Sequence, residues 1–281
     1  MFSSEATSAF LGLLSAATWG AGDFCGGLAA RRSSAFSVVV ASQIIGLMLL
    51  ALAALLLGEP WPPLSDWLWG AGAGLAGVIG LLALYRALAE GQMGLTAPVS
   101  AVVAASLPVI VGMLTEGWPS VWQGVGFALA LLAVWCISAT GQLVAFNLEQ
   151  LRLPLLAGLG FGLFFVVLDR ASGVAVLWTL CAARIASISV MLAIALSTRR
   201  AWWTEAGQWG LLALSGAFDA GGNAFYALAA QIGRMDIAAV LSSLYPASTV
   251  VLAWLILKER LSRVQMMGIV VALIAIMLIT G

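Results

Sequence analysis

The sequence predicts an all-α integral membrane protein, with ten transmembrane helices in two inverted five-helix repeats. Three observations carry this. First, 63% of the 281 residues are hydrophobic and only 9% are charged, whereas a soluble domain carries roughly 25% charge. Second, ten continuous apolar runs each approach the ~20 residues needed to cross a bilayer core. Third, several short segments recur in the same order in the two halves. The runs are continuous rather than alternating, which selects helices over barrel strands.

The spans follow in order. The first, 7–30, starts behind "MFSSEATSAF", which lacks the positive region of a cleavable signal, so it is expected to remain as a span. "RRSS" leads into 36–58, and "GEPWPPLSD" separates that run from 66–89. "EGQMG" precedes 94–115, and "TEGWPS" precedes 120–140. "NLEQLRLP" opens the second half, whose first span is 153–170. A tight turn at "DRASG" divides it from 174–197. "STRRAWWTEAG", "IGRMD" and "KERLSR" then bound 207–230, 236–257 and 263–281. Nothing between the runs is long enough to form a separate domain.

Let side A be the side of the N-terminus and side B the other. Arg31, Arg32, Arg86, Arg152, Arg199, Arg200, Lys258, Arg260 and Arg263 fall on side B, and only Arg170 and Arg234 on side A. Basic residues concentrate on cytoplasmic loops, so both termini are expected outside the cytoplasm, in a multi-pass protein of the cell (inner or plasma) membrane. Trp61, Trp67, Trp69, Trp118 and Trp122 at side A, with Trp202, Trp203 and Trp209 at side B, read as interfacial belts.

Composition also excludes function classes. There is no His, and 12 acidic residues balance 12 basic ones. No basic patch suggests nucleic acid, and no nucleotide-binding motif suggests direct use of ATP. Cys25, Cys136 and Cys181 are far apart in apolar runs and make no metal spacing. No cofactor and no metal is implied, and nothing points to an enzyme.

The internal repeat divides the chain into 1–145 and 146–281. Gly12 precedes Asp23 as Gly158 precedes Asp169. "YRALAEGQMGLTAPVSA" is matched by "FYALAAQIGRMDIAAVLSS", and "LTEGWPSVWQGVG" by "LKERLSRVQMMG". Five spans per half is an odd number, so the second half enters from the opposite side. The natural site then lies between the halves near the midplane.

Residues 226–276, "YALAAQIGRMDIAAVLSSLYPASTVVLAWLILKERLSRVQMMGIVVALIAI", resemble the EamA-type pattern of the drug/metabolite transporter superfamily. The likeness extends over nearly the full chain, although Glu116-Gly117 stands where the pattern has Glu-Arg and two prolines, Pro98 and Pro108, flank the expected single position. The resemblance implies ten helices in two repeats and export or exchange of small metabolites. Members similar to this chain include amino-acid exporters.

Ionisable residues at membrane depth are costly and mark function or a partner. Asp23, Arg184 and Asp219 lie inside spans, while Asp169 is read as a helix-end residue. On the eighth span Gly216, Asp219, Gly222, Asn223, Tyr226 and Ala230 recur at spacings of three and four and share one face. Asp219 is either the counter-ion of Arg184 or a cavity ligand. Arg184 either pairs with Asp23 or Asp219, or holds a substrate carboxylate with its planar fork. Gln43, at the equivalent place in the first half, is uncharged, so the site is asymmetric.

Trp19, one turn before Asp23, is expected with Tyr85, Tyr226, Ser242 and Tyr245 to complete the wall of a site for an amphipathic small molecule. Pro98, Pro108 and Pro246 fall in the fourth and ninth spans, which are repeat equivalents, and mark them as hinges or static kinks. Glycine pairs at spacing four, Gly70–Gly74, Gly22–Gly26 and Gly158–Gly162, read as close helix contacts.

The expected function is secondary transport by alternating access, exporting neutral or aromatic amino acids. A multidrug or other metabolite exporter, or a passive facilitator, is the alternative. The expected partners are the lipid bilayer, a small-molecule substrate and, in one coupling scheme, protons carried by a buried acid. One chain suffices, because the repeat supplies both halves.

Overall fold

The fold is seen in a computed structural model, which describes residues 4–30, 32–89, 93–138, 148–171, 174–199, 201, 208–258 and 262–280. Its elements are α1 (Ser4–Ala30), α2 (Ala35–Leu56), α3 (Leu64–Ala89), α4 (Met93–Thr115), α5 (Val121–Ser138), α6 (Leu148–Ala171), α7 (Val176–Thr198), α8 (Trp209–Ile232), α9 (Met235–Ser242), α10 (Tyr245–Leu257) and α11 (Arg263–Thr280). Each expected span has its helix. The ninth departs from expectation, because it is two helices rather than one run over 236–257.

Pro246 gives the reason. It has no N–H to offer a preceding carbonyl, and its fixed φ suits the first turn of a helix. It therefore opens α10 instead of bending a continuous helix. At the break the Ser243 hydroxyl donates to the Val240 carbonyl at 2.6 Å, and the Leu244 N–H reaches only three residues back, to Leu241. The equivalent helix α4 runs unbroken through Pro108. The side chain of Pro98, also on α4, lies outside the described residues. The two expected hinges are thus unequal.

Five stretches are long and apolar enough to cross a membrane: Ala35–Leu56, Leu64–Leu84, Leu151–Ala171, Val176–Thr198 and Met235–Leu257. Val99–Thr115, Val121–Ile137 and Arg263–Ile279 are shorter apolar helices. Neither group includes α1 or α8, the two helices that carry Asp23 and Asp219. These two pack on each other more extensively than any other pair of helices, α3 and α6 included. Small and polar residues are tolerated there because other helices, not lipid, face them.

The two halves interleave. The first helix of each half packs on the third helix of the other, α1 on α8 and α6 on α3. Likewise α4 packs on α6, as α9 and α10 together pack on α1. The last helices, α5 and α11, pair with each other, and so do α2 and α7. Exchanging the halves maps each of these pairings onto its counterpart, which is what an inverted repeat requires.

Lipid tails are as apolar as leucine, so close packing and interhelical hydrogen bonds hold such helices together. The expected glycine contacts are present. A Cβ on Gly74 of α3 would collide with the Ala183 carbonyl of α7, and one on Gly216 of α8 would stand 2.5 Å from the Ser42 carbonyl of α2. Gly158 and Gly162 admit α4 in the same way, and Gly22 and Gly26 admit α8. Hydroxyls stitch α1 to α8: Ser8 donates to the Ala229 carbonyl (2.8 Å), Ser15 to Gly222 (2.8 Å), and Ser215 back to Gly22 (3.1 Å).

At side A, acids of the first half cap helices of the second. The Glu59 carboxylate accepts the N–H groups of Leu177 and Trp178, both at 3.0 Å, at the start of α7. Glu116 accepts the Met235 N–H at 3.2 Å at the start of α9. A carboxylate there satisfies orphan donors and meets the positive end of the helix dipole. Arg234 adds two donors to the buried Asp236 carboxylate (3.0 and 2.7 Å) and one to the Gly117 carbonyl (2.8 Å). Asp236 fits because Gly112 leaves room beside it. Sequence reading missed this cluster, whose signal was the Arg-x-Asp at 234–236 in a span boundary.

Candidate functional site

One stripe of α1 faces α8, α9 and α10. Gly12, Ala16, Trp19, Asp23 and Gly27 recur along it at helical spacing. Towards side A the stripe is covered: Gly12 and Ala16 are buried, and a Cβ on Gly12 would touch Leu241 of α9 at 3.2 Å. Towards side B it opens. Trp19 is partly buried, Asp23 and Gly27 are exposed, and a Cβ on Gly27 would have no atom within 4 Å. The neighbours of Asp23 show that this is an interior face. Gly20 is pressed against Tyr245 and Thr249 of α10, and Gly22 against Asp219 of α8. Asp23 thus stands between α8 and α10, in electrostatic reach of Asp219 and Tyr245.

Arg184 and Asp219 are joined. The Arg184 Nη2 donates to Asp219 Oδ2 in an ion pair between α7 and α8. The arginine side chain is 10% exposed and the aspartate side chain 39%. Asn223, one turn beyond, donates to the Asp219 backbone carbonyl at 2.6 Å. Of the two partners open to Arg184 on sequence, Asp219 is therefore the one the fold brings to it.

The repeat explains why only the second half holds this pair. Where α2 crosses α7, Ser187 donates to Gln43 Oε1. By the same offset Arg184 is the equivalent of Gln43, and Ser187 the equivalent of Gly46. A Cβ on Gly46 would lie 3.8 Å from the Arg184 guanidinium carbon. Arg184 therefore meets no side chain where Gln43 meets a hydroxyl, and it reaches on to Asp219. On the third helix of each half, Gly74, Gly77 and Gly80 match Gly216, Asp219 and Gly222. The first half has glycine where the second has the acid.

Other expected residues are placed as follows. Tyr226 is fully buried; its ring stacks on Trp19 (centroids 6.1 Å) and packs on Phe165 (4.6 Å), and its hydroxyl donates to the Phe165 carbonyl at 3.4 Å. Ser242 is also fully buried, with its hydroxyl on the Gly12 carbonyl at 3.3 Å. Neither presents surface to a ligand in this conformation. Tyr245 is half-buried at the start of α10, in electrostatic reach of Asp23. Tyr85 lies on α3 with its side chain outside the described residues. Trp19 and Phe165 are counterparts in the repeat and touch each other (5.6 Å), which sequence reading missed for Phe165.

The three cysteines are buried and free, and no cluster of potential metal ligands occurs among the described residues.

A two-repeat helical membrane domain with ionisable residues between its halves has the build of a small-molecule transporter. The EamA-like transporter family model matches the chain twice, over residues 6–139 and 151–281, and the protein belongs to that family. No curated protein matches it. Among the solved structures it is similar to is one titled only as the crystal structure of a protein, at 18% identity over 97% of this chain and 98% of that one, with a TM-score of 0.78. That likeness concerns the fold alone.

Proposed function

We propose that this protein exports small metabolites, foremost neutral and aromatic amino acids, by alternating access through a central site between the two repeats. The observation that carries the reading is the interior stripe of α1. It is lined by Trp19 and Asp23, faces Asp219 and Tyr245, and is open to side B but covered towards side A. A ligand entering from side B would meet aromatic and charged groups at membrane depth and no path onward. Transport then requires the side A contacts of α9 to part while side B closes. With side B cytoplasmic and both termini outside, this is the loading state of an exporter in the cell membrane.

The test is uptake of labelled amino acids into proteoliposomes, with and without an imposed proton gradient. Saturable, trans-stimulated flux of an aromatic amino acid is expected. Folded protein that moves none of a full panel overturns the amino-acid reading. Flux that neither saturates nor responds to substrate on the far side identifies a passive facilitator instead.

A further inference from the structure

We infer that Asp23 is the specificity-determining residue of the central site, and that it selects substrates carrying a positively charged nitrogen. The inference rests on the transport reading and names the substrate class of that site. Among the described residues the charges at the centre are two acids, Asp23 and Asp219, and one base, Arg184. Arg184 is buried and committed to Asp219. Among the described residues Asp23 makes no hydrogen bond and no ion pair, although it stands on the interior face of α1 and is open to side B.

An isolated carboxylate at membrane depth is costly unless a positive group meets it. Among the described residues no base does so: the charged group acting on Asp23 is Asp219, which repels a second anion. The field in the open stripe therefore attracts cations and opposes free carboxylates. Trp19 lies one turn from Asp23 on the same face, and its ring adds the attraction of an aromatic quadrupole for a cation. Tyr245 on α10 is in electrostatic reach of the acid. A primary ammonium on an aromatic or aliphatic body fits these groups. In an amino acid it is the ammonium, not the carboxylate, that docks first, and Arg184 holds the site together instead of gripping the carboxylate.

Three probes sharing one ring and one chain length separate the charges: phenethylamine, phenylalanine and 3-phenylpropionate. Their binding to the purified protein is measured by calorimetry. The amine and the zwitterion are expected to bind, with 3-phenylpropionate at least tenfold weaker than phenethylamine. Asp23→Asn should weaken phenethylamine at least tenfold, and Asp23→Glu should retain most of the affinity. The inference is overturned if 3-phenylpropionate binds as tightly as the amine, if none of the three binds, or if a folded Asp23→Asn protein binds phenethylamine like the parent. Flux in proteoliposomes keeps the two claims apart. Carriage of 3-phenylpropionate but not the amine sinks the charge assignment and leaves transport standing. The expected binding order without flux of any probe sinks the transport reading alone.

Discussion

At the crossing of α2 and α7 the two halves present matching backbones and different chemistry. In one direction Gln43 meets Ser187, a neutral pair closed within the crossing. In the other, Arg184 meets the bare backbone of Gly46 and extends to Asp219 on α8. An inverted repeat supplies the same position twice; the residue placed opposite decides whether that position is glue or charge. Gly46 in place of a second serine leaves the guanidinium without a local partner. Asp219 in place of a third glycine answers it.

The comparison is broken most severely by removing the acid. Asp219→Asn leaves Arg184 buried without its charge partner. Loss of one member of a buried pair costs about 3–5 kcal/mol, and about 3 kcal/mol is expected here because the Asp219 side chain is 39% exposed. Unfolding in detergent reads it. The paired change Arg184→Gln with Asp219→Gly writes the first half's residues into the second and should recover most of that stability. Failure to recover would mean that the halves are not equivalent at this crossing.

Gly74→Val and Gly216→Val test the backbone symmetry instead of the chemistry. Each inserts a side chain where a carbonyl already lies, and forced overpacking costs about 1–3 kcal/mol. Similar losses in the two variants are expected; a harmless change in one half shows that its helices can separate there. Ser187→Ala should cost about 1–2 kcal/mol, the penalty of leaving the Gln43 amide oxygen without its donor.

The smallest effect concerns side A, where acids of the first half cap helices of the second. Burial pushes the Glu116 carboxyl above its usual range; the Met235 N–H opposes this, Asp236 raises it further, Arg234 lowers it, and Asp169 adds to the rise. The folded state therefore holds this proton more tightly than the unfolded chain does. The stability this provides is full below the ordinary glutamate range and is lost as pH rises through the raised value. Melting temperature followed from acid to neutral pH should fall slightly more in the parent than in Glu116→Gln, and equal slopes would show that Glu116 does not contribute.

Much of this was legible in the sequence because a membrane imposes few alternatives. Twenty apolar residues between charged breaks can only be a helix in lipid. Arg184 and Asp219 stood out because they are expensive, and glycine spacing marked the helix contacts. Other features were not legible for specific reasons. The ninth span reads as one apolar run, and its break depends on Pro246 opening a helix where Pro108 is accommodated within one. Tyr226 and Ser242 have the chemistry of a site wall but are buried, because α6 and α1 cover them. The side A cluster was hidden because Glu116 and Met235 are distant in sequence and meet only when the halves interleave.

The sequence by itself determined the membrane class, the ten spans, the two-fold repeat and the short roster of costly residues. Each of these follows from local composition weighed against the bilayer. Tertiary structure alone decided which acid answers Arg184, which residues remain open, and on which side. Those are matters of relative position: Asp219 and Asp23 carry the same carboxylate, and only the crossing of α7 with α8 neutralises one and leaves the other facing an open interior.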